Sequence, residues 1–208
     1  MTSATLDVVK YLFMEITGLK HKKLVNFIRE GKIGILPTDT IYGIHASVFH
    51  PEAIEKIYKI RKRDYDKPLV VLISSLNDLN LLKIKLDSKT RNFLNKIWPG
   101  KISVILPVKN DWLSYLHRGK NSLAIRMPDY PELRELLSET GPLVSTSVNP
   151  QGKKPATTIE EAENYFGDKV DFYVDAGKLA SEPSTLVELK TGKVKIIREG
   201  AVKLKKIA

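Results

Sequence analysis

Residues 142–149 of this chain read PLVSTSVN, and residues 150–158 continue PQGKKPATT. The apolar start predicts a short buried strand that runs into a cluster of hydroxyl and amide side chains. A turn rich in glycine and proline follows, and residues 158–161 (TIEE) have the pattern of a capping box that opens a helix. Hydroxyl and amide groups at the carboxyl end of a strand suit a phosphate, carboxylate or nucleotide. The simpler alternative is a Ser/Thr-rich turn that hydrogen-bonds only to its own backbone.

Outward from this stretch, segments with helical and strand patterns alternate along the chain. Hydrophobic periodicity predicts helices at 20–30, 76–82, 90–98 and 131–139, and Gly31 is placed to end the first of them. Pro51 sits where a first-turn proline begins another helix. The predicted strands are 33–36, 69–73, 102–108, 122–127, 170–174, 185–189 and 194–197. Because several strands follow one another directly, we predict an α/β fold whose sheet mixes parallel and antiparallel strands.

Domain organisation follows from the length and from the absence of a linker-like segment. A chain of 208 residues fits a single domain, which we place at 1–208 with a core at about 24–202. The polar, irregular stretch 109–121 is predicted to be a mobile loop.

Composition excludes several classes of protein. The chain has 34 Lys and Arg against 24 Asp and Glu, a net charge of +10, which favours an anionic partner such as a nucleotide, RNA or acidic lipid. It has no cysteine, so disulfide frameworks and cysteine-based metal sites are excluded. We find neither a signal-peptide pattern nor an apolar run long enough to span a membrane, and we expect a cytoplasmic protein without a membrane partner.

Four further segments carry candidate binding groups. Residues 36–43 (LPTDTIYG) follow a predicted strand. Residues 59–69 (KIRKRDYDKPL) place five cations directly before the predicted strand 69–73. Residues 122–128 (SLAIRMP) contain Arg126, a cation inside an apolar strand, which must be paired internally or face an anionic ligand. The fourth segment combines residues 184–185 (ST) with residues 198–200 (REG). The simpler alternatives are a capped turn for residues 36–43 and a solvated helix face for residues 59–69, and each segment is a weak signal alone.

Several familiar motifs are absent. The chain has no G-x-x-x-x-G-K-[ST] phosphate loop, no G-x-G-x-x-G after a strand and no G-x-S-x-G nucleophile elbow. The four histidines show no metal-ligand spacing, so no metal held by the protein is expected. His45 is the histidine nearest a motif, and we interpret it as structural.

Together the segments resemble the YrdC-type threonylcarbamoyl-AMP synthases. Six ordered motifs carry the resemblance: residues 37–43 match P-T-[ED]-T-x-Y-G, 61–69 match K-x-R-x-x-x-[KNH]-P-L, 98–100 match W-P-G, 123–128 match A-x-R-x-P, 145–152 match S-x-S-[AV]-N-x-x-G, and 184–185 with 197–200 match S-T and [IL]-R-x-G. One departure is Arg61, which stands where the family usually has lysine. The resemblance implies a twisted sheet around a large basic cavity, and we expect no additional C-terminal domain.

The resemblance also implies an activity. The family condenses L-threonine, bicarbonate or CO2, and ATP into threonylcarbamoyl-AMP and releases pyrophosphate, usually with Mg²⁺. Downstream proteins then transfer the threonylcarbamoyl group to tRNA, so a contact with tRNA and with those proteins is expected.

The resemblance assigns roles residue by residue. Arg63 and Lys67 are the expected catalytic residues. Threonine or its carboxylate is expected to contact Thr40, Lys67, Arg126, Ser145 and Ser184. ATP is expected to contact Arg61, Arg63, Ser122, Ser147, Asn149 and Arg198. Because no carboxylate lies within two residues of Arg126 in the sequence, we expect it to face the cavity and receive the threonine carboxylate. The competing interpretation is a structural ion pair.

Two other functions remain open from the residues. The net charge and the cluster at residues 20–23 (KHKK) also suit a non-catalytic module that binds tRNA or the ribosome. A related carbamoyl-transfer module occurs within larger maturation proteins, and it uses carbamoyl phosphate.

Overall fold

The computed structural model describes residues 14–20, 22–108, 111–190 and 193–203. Its strands are β1 (Met14–Thr17), β2 (Gly34–Leu36), β3 (Gly43–Ser47), β4 (Val70–Leu72), β5 (Ile102–Pro107), β6 (Ser122–Arg126), β7 (Leu143–Ser147), β8 (Phe172–Asp175), β9 (Thr185–Lys190) and β10 (Lys193–Arg198). Its helices are α1 (Lys22–Arg29), α2 (Pro51–Arg61), α3 (Ser88–Ile97), α4 (Ser114–His117), α5 (Pro131–Thr140) and α6 (Ile159–Phe166). Short 3₁₀ helices lie at Leu76–Asn80, Asp111–Leu113 and Gly167–Lys169.

The ten described strands form one mixed sheet in the order β1-β8-β2-β3-β7-β4-β6-β5-β9-β10. The pairs β1–β8, β2–β8, β4–β6 and β5–β9 are parallel. The pairs β2–β3, β3–β7, β4–β7, β5–β6 and β9–β10 are antiparallel. This sheet confirms the predicted α/β class with mixed strand directions.

Helices pack on both faces of the sheet, and the alternation of side chains along each strand separates the two cores. Leu72 and Leu143 point towards α1 and α5, where they join a smaller apolar cluster. Their neighbours Val71 and Val144 point the other way, into the larger cluster that contains the buried faces of α2, α3 and α6. The chain is therefore a three-layer α/β structure.

Several local predictions are confirmed at the ends of elements. Gly31 follows α1 with φ +80°, a conformation that favours glycine. Pro51 is in the first turn of α2. Thr158 caps α6 by accepting a hydrogen bond from the backbone N–H of Glu161 at 3.2 Å. In a capping box the Glu161 carboxylate would accept from the N–H of Thr158. Here it accepts from the N–H of Thr157 instead, at 2.7 Å.

Other predictions need correction. The stretch 109–121 was expected to be an irregular loop, but Asp111–Leu113 and Ser114–His117 are helical, because Leu113 and Leu116 bury apolar side chains. The predicted helix at 76–82 is a 3₁₀ helix over Leu76–Asn80. The strands β1 and β3 were not predicted. None of the helices in the described part of the chain is long and apolar enough to cross a membrane.

Candidate active site

A cavity of ≈ 190 Å³ opens on the sheet face that carries α1 and α5. Alternate residues of neighbouring strands form its floor, among them Val70 and Leu72 of β4 and Ala124 of β6. It contains seven of the residues that the resemblance assigned: Thr40, Arg63, Arg126, Ser145, Ser147, Ser184 and Arg198. Residues from five of the six motifs, far apart in sequence, therefore meet at one place.

The turn before β3 supplies Thr40 and is held by its own hydroxyls. Thr38 Oγ1 donates to the carbonyl of Ile41 at 2.7 Å and accepts from the backbone N–H groups of Thr40 and Ile41 at 3.1 and 3.2 Å. Gly43, the first residue of β3, has no room for a side chain, because a Cβ there would lie 2.5 Å from the ring of His45. The turn is thus fixed on both sides of Thr40.

Arg126 lies at the end of β6, and it is 4% exposed. Its guanidinium forms an ion pair with Asp39 and donates to Thr40 Oγ1 and to the carbonyl of Gly100, both at 3.0 Å. Burial lowers the pKa of Arg126, and the charge of Asp39 opposes that shift. Three of its five N–H groups are engaged, and the residue still lines the cavity. Arg126 therefore has an internal carboxylate partner and also lines the cavity.

Arg61, the last residue of α2, is 3% exposed and has a different set of partners. It donates to the Asn149 carbonyl at 2.8 Å, to Asn149 Oδ1 at 2.9 Å, to Ser147 Oγ at 3.2 Å and to Thr146 Oγ1. No carboxylate in the described part of the chain pairs with it. Burial, followed by the charge of Arg63, lowers the pKa of Arg61 to about 10. The guanidinium thus fastens the end of α2 to the turn that follows β7.

Arg63, in the loop after α2, and Arg198, the last residue of β10, also line the cavity. Arg63 donates to the carbonyls of Lys67 and Pro68 at 3.1 and 3.2 Å, and Arg198 donates to the carbonyl of Ser184 at 2.8 Å. Burial, and then the charge of Arg63, lowers the pKa of Arg198. Neither guanidinium is paired with a carboxylate within the described ranges. Both cations are therefore available to an anionic ligand.

Two of the lining serines differ in how they are bonded. Ser184 is buried, and its hydroxyl shares a hydrogen bond of 2.8 Å with Ser103. Ser145 has no side-chain hydrogen bond to any residue that the structure describes, so its hydroxyl can rotate to donate or to accept.

Four assigned residues lie outside the cavity lining. Lys67 is exposed and forms an ion pair with Asp64. Ser122 begins β6, four residues before Arg126, on the same side of the strand as the lining residue Ala124. Arg61 and Asn149 lie buried behind the end of β7.

Some features of the site were missed by the sequence interpretation. Asp39 was recognised as part of a motif but not as the partner of Arg126, because 87 positions separate the two residues. The apolar part of the lining was also missed. Because side chains alternate along a strand, Ala124 lies on the same face of β6 as Arg126, and the sequence could have indicated it. A second cavity of ≈ 380 Å³ shares Thr38 and Thr40 with the first.

Comparison with known proteins gives a consistent result. The Sua5/YciO/YrdC family model, described as "Telomere recombination", matches residues 26–200. A Methanocaldococcus jannaschii protein is 33% identical over 199 residues, covering 93% of this chain and 94% of that protein. The threonylcarbamoyl-AMP synthase of Marinobacter nauticus is 33% identical over 166 residues, covering 78% of this chain and 87% of the enzyme.

Solved structures extend the comparison. P. abyssi Sua5 complexed with L-threonine superposes with a TM-score of 0.78 and is 27% identical, covering 85% of this chain. The chain spans 52% of the length of that protein. E. coli YciO, 24% identical, has the same fold with a TM-score of 0.79, covering 88% of this chain and 90% of YciO.

Proposed function

The chain belongs to the Sua5/YciO/YrdC family, and from that premise we propose that it is an L-threonylcarbamoyladenylate synthase. It condenses L-threonine, bicarbonate or CO2, and ATP, and it releases pyrophosphate. The product serves the N6-threonylcarbamoyladenosine modification of tRNA in the cytoplasm, through downstream transfer proteins. The observation that carries the proposal is one cavity lined by Arg63, Arg126 and Arg198 together with the hydroxyls of Thr40, Ser145, Ser147 and Ser184.

The reaction explains why such a lining is useful. The threonine amine attacks CO2, which forms an N–C bond and, after loss of a proton, a carbamate. A carbamate oxygen then attacks the α-phosphorus of ATP, and the bond to pyrophosphate breaks. Both reactants are anionic in the second step, so fixed cations must offset their repulsion and stabilise the charge on the transferring phosphorus. With no dedicated nucleophile required, positioning and electrostatics suffice.

Each lining group has a role in this proposal. Arg63 and Arg198 hold the phosphates or the carbamate, because neither has a carboxylate partner in the described chain. Arg126 receives the threonine carboxylate through the N–H groups left after its three protein contacts. Ser145, Ser184 and Thr40 complete the threonine pocket. In support, P. abyssi Sua5, whose solved structure contains L-threonine, has the same fold.

The cavity lining offers Mg²⁺ no carboxylate ligand. None of the lining residues is acidic, and within the described residues no group of three His, Cys, Asp or Glu side chains could hold a metal ion. Mg²⁺ prefers phosphate oxygens and water with only one or two carboxylates. We therefore treat it as part of the substrate, MgATP.

The test is a reconstituted reaction with a matched variant. Purified protein is incubated with L-threonine, ¹⁴C-bicarbonate and MgATP, and we expect a labelled adenylate and equimolar pyrophosphate that require all three substrates. Arg198→Ala should abolish or strongly reduce the product. Arg91→Ala removes an exposed arginine of α3 outside the cavity, and it should leave the rate unchanged.

Two outcomes would contradict the proposal. Pyrophosphate release that is equal with L-valine would argue against a pocket that pairs the threonine hydroxyl. RNA binding that is tight and steeply salt-dependent, without any turnover of ATP, would favour the RNA-binding alternative.

A further inference from the structure

The hydroxyl of Ser147 lines the cavity, and its orientation is determined by Asn149 behind it. Asn149 Nδ2 donates to the carbonyls of Pro150 and Lys153 at 3.1 and 2.6 Å. Its Oδ1 faces the guanidinium of Arg61 at 2.9 Å. Since a guanidinium only donates and a carbonyl only accepts, the amide can have only this orientation.

The position of the Ser147 proton follows from that orientation. Ser147 Oγ lies 2.7 Å from Asn149 Oδ1, an atom without hydrogen, so Ser147 must donate this bond. Arg61 Nη2 donates to Ser147 Oγ at 3.2 Å and engages one of its lone pairs. A hydroxyl has one hydrogen and two lone pairs, so one lone pair remains for the cavity.

We propose that Arg61 is a positioning residue that, with Asn149, makes Ser147 a hydrogen-bond acceptor towards the ligand. Ser147 then recognises an N–H or O–H group of the nucleotide, a sugar hydroxyl or the amino group of the base, and not a phosphate oxygen. The inference rests on the proposed function, since it assigns a part of MgATP to this side of the cavity.

If Ser147 acts as an acceptor, the cavity lining contains two kinds of binding group: guanidinium cations and a hydroxyl oxygen that accepts hydrogen bonds. Phosphate oxygens carry no hydrogen to offer at neutral pH, so they gain nothing from a lone pair on Ser147 and are attracted to Arg63 and Arg198 instead. A hydroxyl or amino group gains a hydrogen bond at Ser147. The nucleoside part of ATP and its triphosphate are thus recognised by different side chains.

Binding of two ligands tests the inference. Calorimetry measures the affinity of the full chain for MgATP and for magnesium tripolyphosphate, which has the phosphates but no nucleoside. We expect Ser147→Ala to weaken MgATP binding by roughly three- to tenfold, the range of one neutral hydrogen bond, and to leave tripolyphosphate binding unchanged. Ser138→Ala, an exposed serine of α5, is the matched control.

Arg61→Lys separates positioning from a general structural role. Lysine cannot reproduce the planar fork that bonds Ser147 and Asn149 together. If Arg61 acts through Ser147, then Arg61→Lys weakens MgATP binding selectively, and adding Ser147→Ala causes no further loss. Equal weakening of both ligands, or losses that multiply in the double variant, would overturn the inference.

Neutron diffraction decides the proton position without any ligand. We expect the Ser147 deuteron on the line to Asn149 Oδ1, and a deuteron that points into the cavity would overturn the inference. If the wild-type protein binds neither MgATP nor tripolyphosphate, the proposed function is wrong, and the neutron map still decides the orientation of Ser147.

Discussion

Two arginines near the cavity are buried to a similar extent, Arg61 at 3% and Arg126 at 4% exposed, yet they are stabilised in different ways. Arg126 faces the carboxylate of Asp39, whose side chain is 6% exposed. Arg61 faces only carbonyl, amide and hydroxyl oxygens. A buried charge therefore needs hydrogen bonds to its donors, and it does not always need an opposite charge.

A third buried base, His45, has neither kind of support. It is fully buried, and among the described residues neither ring nitrogen makes a hydrogen bond of normal geometry. Burial lowers the pKa of His45 to about 4, and the carbonyl of Gly43 offsets only part of this shift. The imidazole is thus neutral at physiological pH. The three residues form a series from a charge paired with a carboxylate to a base that gives up its proton.

The largest effect is expected from breaking the Arg126 ion pair. Arg126→Ala leaves the Asp39 carboxylate buried without its cation, which should lower the free energy of unfolding by about 3–5 kcal/mol in urea denaturation. The double variant Asp39→Ala/Arg126→Ala should lose less than the single one, and Arg91→Ala is the control. Unchanged stability in Arg126→Ala, with only threonine affinity lost, would show that the ion pair with Asp39 contributes nothing to folding.

His45 should make the stability depend on pH. Between its folded pKa of about 4 and its ordinary value of 6.5, the unfolded chain binds more protons than the folded chain, so stability rises with pH. Acidification from about pH 6.5 to pH 4 should therefore cost roughly 3 kcal/mol at this residue, at about 1.4 kcal/mol per pKa unit.

Urea denaturation at several pH values checks this prediction through a difference between variants. His45→Gln should flatten the pH profile relative to the wild type. His50→Gln is the control, because that ring is only partly buried and bonds Glu52 at 3.1 Å. If the His45→Gln profile runs parallel to that of the wild type, the His45 ring does not cause the pH dependence of stability.

A smaller loss is expected when Arg61 is removed. Arg61→Met deletes the charge together with its hydrogen bonds, but it strands no carboxylate, so the free energy of unfolding should fall by about 1–3 kcal/mol. The comparison with Arg126→Met, measured under the same conditions, isolates the contribution of the stranded Asp39. If the two variants lose the same stability, the difference between the partners of Arg61 and those of Arg126 has no effect on the free energy of unfolding.

The smallest effect on stability is expected at Lys67. Its ion pair with Asp64 is exposed, and such pairs contribute at most about 1 kcal/mol. Lys67→Ala should therefore unfold with the wild-type midpoint. A loss of adenylate synthesis in a variant of unchanged stability would then support the catalytic role expected for Lys67. Full activity in the variant would contradict that role.

Much of the fold could be predicted from local patterns. Apolar runs indicated β4, β5 and β6, because strands buried on both faces leave a continuous apolar signal. Helical spacing, Gly31 and Pro51 indicated α1 and α2. The strand β3 was missed because its sequence, GIHAS, has no alternation and contains a buried histidine. The strand β1 lacked a signal of comparable length.

The sequence by itself determined the chemistry of the chain: an α/β domain, a basic composition without cysteine, and the ordered motifs that supply arginines, hydroxyls and an amide. Only the tertiary structure decided how these groups share their hydrogens. Asp39 pairs with Arg126 across 87 positions, and Arg61 reaches Asn149 across 88. The physical reason is that a hydrogen bond depends on distance and direction in space, whereas a motif records only the order of residues along the chain.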